Sequence, residues 1–135
     1  MRRLCSLICC VLSLLLCASC LAEEPAFRVS VANLCEAELY GIHYEYALGG
    51  EPAGGGIICN ASGGPIARGD TLTGSFTARN FPEGADLSSF SIQFFAVLQN
   101  DQEFPVGDPP AFSTQYGQTY EFSLTGEERT GFEIS

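Results

Sequence analysis

One stretch, YGIHYEYALGGEPAGGGIICN over residues 40–60, gathers the side chains best suited to chemistry: the single histidine, His43, a cysteine, Cys59, and a run of glycines. A histidine and a thiol can bind a metal or form a base–nucleophile pair, and glycines can let a backbone wrap a phosphate. Each possibility makes demands on its neighbours. A phosphate cradle needs glycines that lead into a helix N-terminus, ideally with a lysine and a hydroxyl residue. No helical pattern follows here, and all six basic residues are arginines. A metal site needs further ligands at short spacing, and His43 has none. A catalytic cysteine wants a histidine base and electropositive surroundings; the chain has 16 acidic residues and a formal charge of −10. Elsewhere there is no G-x-S-x-G elbow, and Asp101 with Glu103 or Glu127 with Glu128 lack the spacing of an EF-hand. No pair of carboxylates is singled out for glycoside chemistry. The expectation is a protein that is not an enzyme, with no catalytic residue, no metal and no cofactor.

What positions these residues is a period-two alternation of apolar and polar side chains, with turn signals about every ten residues. FRVSVAN puts Phe27, Val29 and Val31 on one face, and ELYGIHYEYAL puts Tyr40, Ile42, Tyr44, Tyr46 and Leu48 on another. FSIQFFAVL is the clearest case, with Phe90, Ile92, Phe94, Ala96 and Leu98 in phase. DTLTGSFTA, TYEFSLTG and GFEIS alternate likewise, EFPV adds a short strand or edge, and DLSS allows a single helical turn. Seven or eight short strands over about 110 residues describe an all-β fold, a single antiparallel β-sandwich. Within it, GGEPAGG reads as the connection of a hairpin whose second strand is residues 56–60. His43, in phase with Glu45 and out of phase with Tyr44 and Tyr46, faces solvent.

Residues 1–22 read as a signal peptide and 23–135 as the sandwich domain. Arg2 and Arg3 precede the apolar LCSLICCVLSLLLCASCLA, and Glu23 and Glu24 follow at once. Cleavage after Ala22 suits an ordinary signal peptidase; Cys17-Ala18-Ser19-Cys20 resembles a lipobox, in which Cys20 would be lipidated. Free secretion is preferred over the lipid anchor, because the first lipobox position is Cys and not Leu. Losing Arg2 and Arg3 takes the formal charge from −10 to −12. That surface repels nucleic acid and anionic membranes, leaving a lipid anchor as the one route to a membrane.

Five of seven cysteines belong to the leader region, leaving Cys35 and Cys59. Both fall at one end of the sandwich, and export favours oxidation, so a Cys35–Cys59 disulfide is the expectation. Two separate buried thiols are the alternative. A disulfide closing this loop of about 25 residues would contribute roughly 3 kcal/mol. The RGD tripeptide at Arg68, Gly69 and Asp70 suits a turn entering a strand, and Asn60 in NAS fits a glycosylation sequon.

The phrases FRVSV, LYGIHYEYALGGEP, FPEGADLSSFSIQFFAV, FPVG and YGQTYEFSLTG together resemble small exported proteins of anaerobic gut bacteria with an immunoglobulin-like fold. The resemblance implies a secreted or cell-surface domain and carries no activity with it. Two functions remain open. One is a non-catalytic binding module outside the cell, recognising a protein or glycan through end loops or a sheet face. The other is an inhibitor of a secreted enzyme, acting through end loops such as GGEPAGG or QNDQE. On FSIQFFAVL the non-core face carries Phe95 and Val97, the candidate partner-contact residues if no neighbouring segment covers them.

Overall fold

A computed structural model describes residues 25–135. The signal peptide, its cleavage site and the lipidation candidate Cys20 lie outside the described residues. Eight strands follow the alternation: β1 (Phe27–Asn33), β2 (Gly41–Leu48), β3 (Glu51–Cys59), β4 (Thr71–Phe76), β5 (Phe90–Val97), β6 (Glu103–Pro105), β7 (Gln118–Glu127) and β8 (Gly131–Ile134). They form two four-stranded sheets, ordered β4-β1-β7-β8 and β3-β2-β5-β6. Every pairing is antiparallel except β1 beside β7. The fold is an all-β sandwich.

The in-phase residues of each strand meet in one core. Phe27, Val29 and Val31 of β1, Ile42 and Tyr46 of β2, and Phe90, Ile92, Phe94 and Ala96 of β5 are all buried in it. Phe122 and Leu124 of β7 and Phe132 and Ile134 of β8 complete the opposite layer. The DLSS segment is a 3-10 turn, Leu87–Ser89, opened by Asp86, whose side chain accepts from the Ser88 amide. Asn100 and Asp101 both take positive φ, +62° and +58°, at the tip of the β5–β6 hairpin, as a tight primed turn requires.

The β2–β3 hairpin departs from expectation. Its connection is Gly49–Gly50 alone, with φ of +58° and +85°, and most of GGEPAGG belongs to β3. Pro52 is tolerated because β3 is an edge strand. A bulge at Ala53 shifts the register between Tyr46 opposite Gly54 and Ala47 opposite Pro52. The glycines are explained by tyrosines on the neighbouring strand. A Cβ on Gly54 would lie 2.6 Å from Tyr46 Cζ, and one on Gly56 3.1 Å from Tyr44 Cζ. Both rings fold over the bare backbone of β3, and Tyr46 is fixed there by donating its hydroxyl to Asn80 O at 2.9 Å.

Gly54→Val is therefore expected to destabilise by about 2 kcal/mol, as overpacking does, although strand propensity alone predicts a gain. Gly64→Ala, where the nearest atom is Ser62 Oγ at 3.4 Å, serves as the near-neutral control. Urea denaturation of both variants checks the pair, and a more stable Gly54→Val would show that the rings do not need the gap.

Candidate interaction face

The sandwich has two outward faces, and they differ in chemistry. On β4-β1-β7 the outward residues of β1 are Arg28, Ser30 and Ala32. They pair with Ser75, Thr73 and Thr71 on one side and with Thr119, Glu121 and Ser123 on the other. Ser30 and Thr73 share a hydroxyl hydrogen bond of 2.8 Å. That face is hydroxyl-rich, with Ala32 its one apolar side chain in these rows.

On β3-β2-β5-β6 the register sets Ile57, His43, Phe95 and Pro105 in one row across all four strands. The adjoining rows are Cys59, Gly41, Val97, Glu103 and Gly55, Glu45, Gln93. The His43 imidazole stacks on the Phe95 ring, centroids 5.2 Å apart and planes 27° from parallel. Its Nδ1 lies 3.1 Å from Glu103 Oε2. Gln93 donates to Val106 O at 2.7 Å, closing the row's other side. Ile57 is 55 % exposed and leans over the gap left by Gly41, where a Cβ would meet its Cδ1 at 3.0 Å.

The two candidate contact residues divide. Phe95 is half-buried beneath His43, whereas Val97 is buried, 3 % exposed, and is not available to a partner. The large apolar side chain exposed on this face is Ile57, which alternation alone did not single out. The signal was its phase with His43 across the hairpin, which the continuous apolar run Ile57, Ile58, Cys59 does not announce. His43 keeps the outward orientation that parity predicts, and among the described residues no three His, Cys, Asp or Glu side chains cluster to hold a metal.

The expected disulfide is corrected: Cys35 and Cys59 are both free. Cys35 is buried, its thiol 3.5 Å from Leu124 O. Burial pushes that thiol up to about 11, against the opposing pull of Arg68. Cys59 falls in the outward phase of edge strand β3, opposite Gly41, and is exposed. Closeness of the strand ends was not enough, because parity turns one side chain out while the other packs inward. The neutral Cys35 thiol is the folded state's preference, so its contribution is present below the ordinary thiol range and is lost as pH rises toward 11. In protein lacking residues 1–22, maleimide at neutral pH is expected to label Cys59 quickly and Cys35 only after denaturation. Finding no thiol in the denatured, unreduced protein would restore the disulfide.

The remaining motifs close loops. A shallow depression of about 410 Å³ lies at one end of the sandwich between Cys35–Glu38 and Pro65–Arg68. There Arg68 donates to Glu36 at 2.7 Å. The RGD segment is a turn, with Gly69 at φ +95° and its amide donating to Asn33 O at 2.7 Å. Asn60 spends its side-chain amide inside its own loop, donating to Pro65 O at 2.8 Å. No helix among the described residues is long and apolar enough to cross a membrane. Comparison with known protein families, curated proteins and solved structures finds no match to this chain.

Proposed function

We propose that the protein is a non-catalytic interaction domain working outside the cell, and that its contact surface is the outer face of β3-β2-β5-β6. The contrast between the two outward faces carries this reading. Both sheets meet the same folding demand, an apolar inner side and a wettable outer one. The β4-β1-β7 face meets it with serine, threonine and charge, whereas the other lays Ile57, His43, Phe95 and Pro105 in a continuous row. Nothing in the sandwich requires that row, and apolar and aromatic side chains gathered on a surface are what contact sites use. The placement outside the cell rests on the leader-like residues 1–22, with a lipid on Cys20 as the alternative to free secretion.

A photo-crosslinking amino acid at position 57 or 95, in protein expressed in its own cells, is expected to capture partner, while positions 73 and 121 stay silent. Phe95→Ser is expected to cost about 1 kcal/mol of stability, as fits a half-buried ring, and to remove capture from position 57. Capture from 73 and 121 equal to that from 57 and 95 would sink the assignment of this face.

A further inference from the structure

The four sheet edges are not equally guarded. β6 and β8 are short, and Gly107 N donating to Phe132 O at 3.0 Å ties their ends together. β4 and β3 form the other side of the sandwich, in different sheets, meeting through the Ile58 side chain against Gly74. β3 is the longest edge strand at nine residues, and all of it but Gly56 and Ile58 is exposed. Edge strands normally carry proline, a bulge or a charge against unwanted pairing. Here Pro52 and the Ala53 bulge guard one end, and Gly54–Cys59 has no such device.

The charge around this edge points to what it would accept. The strands of this sheet carry Glu45, Glu51 and Glu103 and no arginine or lysine. Glu45 is the register partner of Gly55, and its Cγ lies 3.6 Å from where a Gly55 Cβ would sit. With no side chain at Gly55, a long cation on an adjoining strand can cross β3 to the Glu45 carboxylate. Two residues further along, the outward neighbour is the exposed Ile57. A second copy of this chain, without residues 1–22, would bring the same acids and a formal charge of −12 against −12, which opposes self-pairing.

We propose that Gly54–Cys59 of β3 accepts an extended polypeptide segment as a fifth strand of the sheet, with an Arg or Lys reaching Glu45 across Gly55 and an apolar side chain beside Ile57. Main-chain hydrogen bonds supply the attachment and the alternate side chains the selectivity. The proposal rests on the reading of this face as the contact surface and adds the chemistry of the partner.

The probe is a capped nine-residue peptide alternating threonine with valine and arginine, tested beside versions with glutamine or glutamate for arginine. With the arginine peptide, hydrogen exchange at the amides of Gly54–Cys59 is expected to slow, and Glu45→Gln to weaken binding about tenfold. The glutamine peptide is expected to bind wild type and Glu45→Gln alike. Glu45 is exposed, so its substitution leaves the fold intact. Absence of binding up to about 1 mM peptide, the weak limit of specific association, overturns the proposal. So does binding that perturbs His43 and Phe95 without protecting β3, an outcome that leaves the face assignment standing. Protection that appears with protein concentration alone assigns the edge to a second copy and overturns the cationic partner. Failure of the face itself is read separately, by crosslinks from positions 73 and 121.

Discussion

Replacing Asn33 by leucine is expected to destabilise the protein by about 3 kcal/mol, although it places an apolar side chain of similar size in a buried position. Asn33 closes β1 and is 1 % exposed. Its Nδ2 donates to Ile66 O at 2.9 Å and Ala67 O at 3.3 Å, and its Oδ1 accepts from Cys35 N at 3.0 Å. Its main chain adds two ties to the same loop, donating to Asp70 O at 2.8 Å and accepting from Gly69 N at 2.7 Å. One side chain thus holds both the turn after β1 and the long connection from β3 to β4. Leucine would remove all three side-chain bonds and leave buried polar groups without partners, at about 1–3 kcal/mol for each such group. Urea denaturation reads the loss, and hydrogen exchange at the Cys35 amide reports where it arises. A loss below about 1 kcal/mol, the size of one ordinary hydrogen bond, would mean that the loop over residues 60–70 is held by its own contacts.

Asn33 also shows why some of this protein was legible in its sequence and some was not. In a sequence an asparagine between strands signals a turn, and Asn33 does end one. Its role as a buried pin depends on carbonyls more than thirty residues away. The strands themselves were legible because each records its own environment: Phe90, Ile92 and Phe94 are apolar because that side of β5 is buried. The glycines of β3 record something else. Gly54 and Gly56 are bare because Tyr46 and Tyr44 occupy the space above them. That relation appears only once β2 and β3 are paired, so in the sequence residues 49–55, Gly54 among them, read as a loop. Ile57 and Cys59 were obscured differently: Ile57, Ile58 and Cys59 form a continuous apolar run, in which alternation does not separate outward side chains from inward ones. Tyr120 is a third case. Its hydroxyl donates to Ser113 O at 2.7 Å and accepts from Gln115 N at 2.8 Å, holding the loop before β7 in a way that alternation cannot announce. The proposed contact face was half legible: Phe95 stood out as an apolar residue out of phase, but its cover by His43 and the burial of Val97 belong to the assembled sheet.

Phe27→Ala is expected to have the largest effect of any single truncation considered, about 4 kcal/mol, in the range for a buried aromatic. Phe27 is fully buried. It stacks on Phe76 with centroids 4.7 Å apart and planes 12° from parallel. It also meets Phe90 edge-on at 5.1 Å. Phe76 lies on β4 of the same sheet, whereas Phe90 begins β5 of the other, so this one ring joins the two layers. Phe81 at 5.9 Å and Tyr120 at 6.1 Å extend the cluster. Alanine leaves a cavity walled by rings that cannot collapse into it, and each lost aromatic pair adds about 0.5–1.5 kcal/mol to the area term. For a domain of this size the change removes a large part of a total stability of about 5–15 kcal/mol. Denaturation of Phe27→Ala beside Phe95→Ser gives the decisive comparison, because both remove a phenylalanine ring from a strand. A cost several times larger at Phe27 fits one ring in the core and the other on a contact face. Equal costs would mean that Phe95 is held for stability, and the row it shares with Ile57 and His43 would lose its claim as a surface kept for a partner.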